Sequence, residues 1–104
     1  MAEASPVRYI IRLHSSSTAI GFNVLKVENG EEQLVNGGHR ILTQAQSNWS
    51  TLKRELVALK WAYDSNPTLL AENDYVIETD FLPLRSLLYA SFSAPQQPPQ
   101  QPPQ

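Results

Sequence analysis

The sequence predicts a mixed α+β domain in which three antiparallel strands precede a helix, a fourth strand and a second helix. Apolar and polar residues alternate through residues 8–14, an Asn-Gly pair at residues 29–30 separates two β-rich runs, and apolar residues recur at helical spacing after residue 50. A chain of 104 residues has room for a single core. We therefore expect one domain of element order β, β, β, α, β, α.

The alternation of residue types predicts two strands joined by a polar turn. Residues 8–14 form the first extended segment, whose side chains point alternately to its two sides. The apolar side consists of Tyr9, Ile11 and Leu13. Residues 15–18 are Ser-Ser-Ser-Thr, which is typical of a turn, and a second β-rich run covers residues 19–27. The first two strands are thus predicted to pair.

The Asn-Gly pair at residues 29–30 predicts a hairpin between the second and third strands. The third strand is predicted to run from about Gln33 to Ile41. Gly37 and Gly38 weaken its middle or mark a β-bulge. Together these runs predict a three-stranded antiparallel meander.

A helix is predicted from Ser50 or Thr51, either of which can cap its first turn, to about Asp64. Four apolar residues follow the 3.6-residue period and are expected to pack on the sheet. These residues are Leu52, Leu56, Leu59 and Tyr63. Trp49 and Trp61 are expected in the core or at its margin, in preference to a role as stacking platforms for bases.

The second half of the chain predicts one further strand and one further helix. Ser-Asn-Pro at residues 65–67 ends the first helix, residues 75–80 read as a fourth strand, and a helix with proline in its first turn covers residues 83–89. Residues 95–104 contain only Pro and Gln and cannot contribute to a core. We expect a flexible N-terminus over 1–5, the domain over 6–92 and a disordered tail over 93–104.

Composition limits the classes of function. The chain has no cysteine, so it has neither disulfides nor thiolate metal sites, and this usage is compatible with an intracellular, cytoplasmic or nuclear location. No apolar run reaches the roughly 20 residues of a membrane span. The formal charge of -2 and a pI near 5.6 disfavour binding to a phosphate backbone.

Two acidic residues stand in apolar surroundings. Glu55 lies three residues after Leu52 and four before Leu59, inside or at the edge of the predicted buried stripe. It either reaches water or a neighbouring arginine at the stripe margin, or belongs to a functional site. Asp80 follows an apolar strand, where it either caps the next helix or belongs to the same kind of site.

Two blocks of sequence resemble the ribonuclease H (RNase H) domain of gypsy-type retrotransposon and retroviral reverse transcriptase polyproteins. The block HRILTQAQSNWSTLKRELVALKWA, residues 39–62, is similar to the third strand and first helix of that family. The block VIETDFLPLRSLL, residues 76–88, is similar to its strand ending in Thr-Asp and the Pro-Leu segment that follows. The order and spacing of both blocks agree with the family over residues 9–88.

The resemblance implies an RNase H-like fold in which the fourth strand is parallel to the first. It also implies the family chemistry, in which two Mg²⁺ or Mn²⁺ ions held by four acidic residues cleave the RNA strand of an RNA/DNA hybrid. Glu55 and Asp80 match two of those residues and are weak candidates as metal ligands. His14 stands at the position of the first-strand aspartate, which bridges both metals.

A neutral imidazole with one ligating nitrogen can neither bridge two metals nor balance their charge. The chain also ends before the strand and helix that carry the family's fourth acidic residue, so we expect a truncated domain that lacks catalytic acidic residues, has no cofactor and is not an enzyme. His14 is either a tolerated polar residue at a strand end or a ligand in a mononuclear His-Glu-Asp site.

The leading hypothesis for function is a retroelement-derived, catalytically inactive domain that acts as a protein-interaction or oligomerisation module. We expect its partner, another protein or a copy of itself, to bind the uncovered sheet face or an unpaired strand edge. This edge consists of Tyr75, Val76, Ile77, Glu78 and Thr79. The alternatives are non-catalytic binding of an RNA/DNA hybrid or double-stranded RNA, and residual metal-dependent ribonuclease H activity.

Overall fold

One four-stranded sheet organises the computed structural model, which describes residues 7–93. Strands β1 (Arg8–Ser15), β2 (Ala19–Glu28) and β3 (Glu31–Ile41) form the predicted antiparallel meander. Strand β4 (Tyr75–Glu78) pairs with β1 in parallel, which gives the strand order β3-β2-β1-β4. The mixed α+β class and the parallel placement of the fourth strand are confirmed. Residues 1–5 and the Pro/Gln segment at residues 95–104, for which flexible ends are predicted, lie outside the described residues.

The hairpin between β2 and β3 turns at the predicted Asn-Gly pair, where Asn29 has φ 54° and Gly30 has φ 79°. Two consecutive positive φ values match the twist of the flanking strands, and Gly and Asn tolerate them best. The predicted bulge at Gly37 and Gly38 is wrong in position. The register shifts where Val24 pairs with Asn36 but Leu25 pairs with Leu34, so the extra residue is Val35.

Gly38 has a packing role instead. A Cβ atom built on Gly38 would lie 2.7 Å from two atoms of the Trp61 ring and 2.9 Å from Phe22 Cε1. The missing side chain therefore allows the Trp61 ring to pack edge-on against Phe22, with the two ring centroids 5.1 Å apart. The Arg40 guanidinium stacks over the Trp61 ring, 4.4 Å from its centroid. As predicted, both tryptophans lie at the margin of the core.

Helix α2 (Thr51–Ser65) packs on the sheet, and the Ser50 hydroxyl caps it by accepting from Lys53 N–H. The prediction that Leu56 packs on the sheet is wrong, because 37% of this side chain is exposed. Leu59 is buried as expected, but its buried neighbours on the helix are Glu55, Ala58 and Ala62. The two alanines let the helix axis approach the sheet, and the contact face is therefore rotated away from Leu56.

The remaining helices are α1 (Gln44–Ser47), α3 (Pro67–Glu72) and α4 (Leu82–Ser93). The two short helices were not predicted. Thr43 and Gln46 close a capping box around α1, and Pro67, interpreted only as the end of α2, is the first residue of α3. Helix α4 begins one residue before the predicted start at Pro83, and β4 ends at Glu78, two residues earlier than predicted. No helix within residues 7–93 is long and apolar enough to cross a membrane.

The two faces of the sheet differ in character. The face that carries Ile11 and Leu13 packs against α2 and forms the core together with Leu70 of α3 and Leu84 of α4; we call it the helix face. The other face carries Arg12 and His14 and is called the opposite face. Leu25 is buried on the opposite face, outside the main core cluster. The candidate site residues lie where the helix face reaches the carboxyl ends of β1 and β4.

Candidate functional site

Glu55 lies in α2 with only 4% of its surface exposed. The Thr79 hydroxyl donates to Glu55 Oε1 at 2.6 Å, whereas Glu55 Oε2 has no hydrogen-bond partner among the described residues. The interpretation in which Glu55 reaches water or a neighbouring arginine is therefore wrong. Arg54 turns instead to the Trp49 carbonyl and the Thr51 hydroxyl. A buried carboxylate oxygen without a hydrogen-bond partner is costly, and such groups are uncommon in folded proteins.

A cavity of about 360 Å³ brings the three family-matching positions together. His14 comes from the end of β1, Glu55 from α2, and Asp80 from the segment between β4 and α4. Three elements that are distant in sequence thus contribute to one cavity, as the resemblance implies. The cavity is lined by Leu13, His14, Ser15, Thr51, Glu55, Asp80 and Phe81.

His14 is exposed and engaged with β2. Its Nε2 lies 3.2 Å from Asn23 Nδ2, and because an amide nitrogen can only donate, the imidazole nitrogen accepts in this contact. The contact occupies the lone pair that a metal ion would need at that nitrogen. His14 is therefore in contact with Asn23 of the paired strand β2.

Asp80 is exposed and does not cap α4. At the start of that helix the Thr79 hydroxyl accepts from Phe81 N–H, and the Phe81 carbonyl accepts from the N–H groups of Leu84 and Arg85. The turn ahead of α4, one of the two roles considered for Asp80, is therefore made by Thr79. The role of the Thr79 side chain becomes apparent only from its hydrogen bond to Glu55 in the structure.

The donor set does not fit the pair of divalent cations that the resemblance implies. One of its three side chains is an imidazole, and one carboxylate oxygen of Glu55 already accepts from Thr79. Within residues 7–93, no three side chains of His, Cys, Asp or Glu converge closely enough to hold a metal ion. A bridging position needs a carboxylate with oxygens directed at both metals, and His14 cannot supply them.

Comparison with protein families matches this chain, over residues 6–101, to the RNase H-like domain found in reverse transcriptase. The match covers the four strands and all the described helices. The chain belongs to this family. No curated protein matches the chain. The positions that the resemblance singles out, His14, Glu55 and Asp80, line one cavity of this domain.

The outer edge of β4 is the second feature of this RNase H-like domain. Tyr9 N–H donates to the Asp74 carbonyl at 3.1 Å, which directs the main chain of Asp74, Val76 and Glu78 towards β1. Because alternate residues point to opposite sides, the N–H and C=O groups of Tyr75 and Ile77 point away from the sheet. No strand within residues 7–93 pairs with them.

A groove of about 560 Å³ follows this edge between β4 and α4. Of the predicted edge residues, Val76 is 52% exposed, Tyr75 and Ile77 are half-buried against the core, and Thr79 is buried. Sequence reasoning missed the wall that α4 supplies, because the direction of that helix depends on its packing. The full lining is Tyr75, Val76, Ile77, Thr79, Arg85, Leu88 and Tyr89.

Tyr75 is held in place from inside the domain. Its hydroxyl lies 2.7 Å from the hydroxyl of Tyr63, and the two rings meet edge-on with centroids 5.7 Å apart. Burial and this hydrogen bond raise the pKa of Tyr63 above its ordinary value. The β4 end of the groove is therefore anchored to α2 and is a preformed surface.

Arg12 links the two edge strands across the opposite face. Its Nε donates to Glu78 at 2.6 Å, and its Nη2 lies 3.1 Å from Glu32 of β3. The hydrogen bond from Arg12 lowers the pKa of Glu78, and the hydrogen bonds to Glu78 and Glu32 raise the pKa of Arg12. Glu78, a predicted edge residue, is thereby tied to its own sheet.

Proposed function

We propose that this RNase H-like domain is catalytically inactive and acts inside the cell as a protein-interaction module through the outer edge of β4. The support for inactivity is His14, which stands where the family has a bridging aspartate and whose Nε2 accepts from Asn23. Activation of a water by a pair of cations requires carboxylates on both sides of the pair. In this cavity the only carboxylates among the lining residues are those of Glu55 and Asp80.

The support for an interaction role is the outward main chain of Tyr75 and Ile77. Unpaired N–H and C=O groups on a strand edge form hydrogen bonds with an added strand, and the adjoining groove accepts side chains of that strand. The groove already has one rigid wall in β4 and one in α4. The occupant under this proposal is an extended segment from a second copy or from another protein.

The other edge of the sheet is less suited to this role. Strand β3 carries a bulge at Val35 and begins with Glu31 and Glu32, and both bulges and charges on an edge strand discourage pairing. Strand β4 also ends in a carboxylate, Glu78, but its pairing with β1 has no bulge. This contrast between the two edge strands is the observation that favours β4.

The proposal is tested by replacing Val76 with lysine at the β4 edge. A lysine on an edge strand opposes the approach of a further strand, while the exposed position leaves the fold intact. We expect Val76→Lys to lower self-association in light scattering, or to lose proteins that the wild-type chain retains in a pull-down. Circular dichroism establishes that the variant is folded.

The matched control is Leu34→Lys, which makes the same kind of change at an exposed position of β3. The control is expected to behave as the wild-type chain does in both measurements. Equal retention of partners and equal self-association by Val76→Lys and the wild type would contradict the use of the β4 edge.

A further inference from the structure

The acidic and the uncharged side chains along β4 lie on different faces of the sheet. Side chains alternate along a strand, so Val76 and its even-numbered neighbours lie on the opposite face, while Tyr75 and Ile77 lie on the helix face. The opposite-face positions include two carboxylates, Asp74 and Glu78, which stand at the free edge, while Arg8 and Arg12 lie beside them on β1, one strand further in. A strand added outside β4 would meet acidic groups on one face and the apolar groove on the other.

The helix side of the groove has a different charge. Its lining side chains are apolar or hydroxylic except for Arg85, which is exposed and takes no part in an ion pair within the described residues. A cationic side chain entering the groove would be repelled by Arg85. Residues of an added strand that face α4 are therefore apolar or acidic, and basic residues fit only on the opposite face.

The same charges disfavour pairing of β4 with a second copy of itself. An antiparallel pair that keeps both helix faces on one side is centred on Tyr75, Val76 or Ile77. The Val76 register places Asp74 beside the copy's Glu78, and the Ile77 register places Asp74 beside the copy's Asp80. The Tyr75 register brings Glu78 to the copy's Glu72, the last residue of α3. Like charges opposite one another destabilise a strand pair, so all three registers meet repulsion.

We infer that the β4 edge binds an extended segment of a different protein, and that basic and apolar residues alternate along this segment. This inference rests on the proposed function. The segment's basic residues pair with Asp74, which makes no ion pair within residues 7–93, and lie beside Glu78. Its apolar residues enter the groove between Ile77 and Leu88. Main-chain hydrogen bonds to Tyr75 and Ile77 supply affinity, and this alternation supplies specificity.

Three fluorescein-labelled peptides test this inference by fluorescence anisotropy with the full chain. The first is Lys-Val-Lys-Val-Lys-Val-Lys, and the second replaces every lysine with glutamate. The third, Lys-Pro-Lys-Val-Lys-Pro-Lys, keeps the charge of the first but lacks main-chain donors at two alternate positions. We expect the first peptide to bind, and the other two to bind at least about fivefold more weakly.

The charge on the opposite face is tested with Asp74→Lys. This variant is expected to weaken the lysine peptide by about fivefold and to strengthen the glutamate peptide. The Asp74 carbonyl still accepts from Tyr9, so β4 remains paired with β1. Glu31→Lys, the same charge change at an exposed position on β3, is the control and is expected to leave both affinities within about twofold.

The results of these binding experiments distinguish a failure of this inference from a failure of the proposed function. Equal or tighter binding of the glutamate peptide overturns the basic partner but leaves an edge that accepts strands. Equal binding of the proline peptide overturns the inference as well, because charge alone then accounts for the affinity. Binding of no peptide, together with equal partner retention by Val76→Lys and the wild type, overturns both.

Discussion

The Thr79 hydroxyl donates a 2.6 Å hydrogen bond to Glu55 Oε1 and so joins the end of β4 to the middle of α2. The same hydroxyl oxygen accepts from Phe81 N–H ahead of α4. Both side chains are buried, and Glu55 Oε2 has no partner among the described residues. The buried Glu55 carboxylate thus accepts one hydrogen bond among the described residues, and Thr79 donates it.

Removal of that hydroxyl is expected to destabilise the domain. Thr79→Val keeps the size of the side chain but leaves Glu55 Oε1 without its donor, which costs about 1–3 kcal/mol of the free energy of unfolding. Urea denaturation measures the loss. Thr79→Ser keeps the hydroxyl and is the control. Equal stability of the valine and serine variants would show that the hydrogen bond contributes little.

The rotated contact face of α2 predicts unequal effects at two leucines. Leu59→Ala removes a buried side chain and is expected to cost about 2–5 kcal/mol. Leu56→Ala, the same change three residues earlier on a side chain that is 37% exposed, is expected to cost less than about 1 kcal/mol. Urea denaturation of the two variants compares them directly. A larger loss of stability for Leu56→Ala than for Leu59→Ala would show that α2 contacts the sheet through the face that the leucine spacing predicts.

The ion pair between Arg12 and Glu78 predicts a pH dependence of stability. Because Arg12 lowers the pKa of Glu78 below its ordinary value of 4.5, the stabilising contribution is fully present above that pH. It is lost as the pH falls through the lower pKa of the folded state. Both side chains are partly exposed, so solvent screening limits the contribution to about 0.2–1 kcal/mol.

Glu78→Gln should therefore be less stable than the wild type at pH 7 by this amount, and the difference should shrink as the pH falls below 4.5. Urea denaturation at several pH values between about 7 and 3 measures it. Glu72→Gln, which changes an α3 carboxylate that makes no ion pair within residues 7–93, is the control. A difference that grows on acidification would have the wrong sign for this ion pair.

Replacing His14 with aspartate is expected to create metal affinity. A third carboxylate at the end of β1 would line the cavity that Glu55 and Asp80 already line, and hard divalent cations prefer such oxygen ligands. Isothermal titration with Mg²⁺ and Mn²⁺ should give no heat above background for the wild type at millimolar metal, and binding for His14→Asp.

The control for this titration is His39→Asp, the same change on β3 at a residue outside the cavity lining, which is expected not to bind. A cleavage assay on an RNA/DNA hybrid accompanies the titration. Metal-dependent cleavage by the wild-type chain, abolished by Glu55→Gln, would refute the proposal that the domain is inactive.

Several elements were predictable because the information that specifies them is local. The alternation at residues 8–14, the Asn-Gly turn and the Ser50 cap each depend on neighbouring residues, and each is found as predicted. The short helices α1 and α3 escaped prediction although Thr43, Gln46 and Pro67 carry recognisable start signals. Pro67 was interpreted only as a helix stop, and proline serves equally well at a helix start.

By itself, the sequence determined the order of the strands along the chain and the hairpin at Asn29 and Gly30. Only the tertiary structure decided that the small residues Ala58 and Ala62 face the sheet, and that Thr79 holds Glu55. It also decided that α4 forms a groove with the free edge of β4. The physical reason is range: these features join residues that lie far apart in the chain, and their contacts depend on how closely packed elements approach.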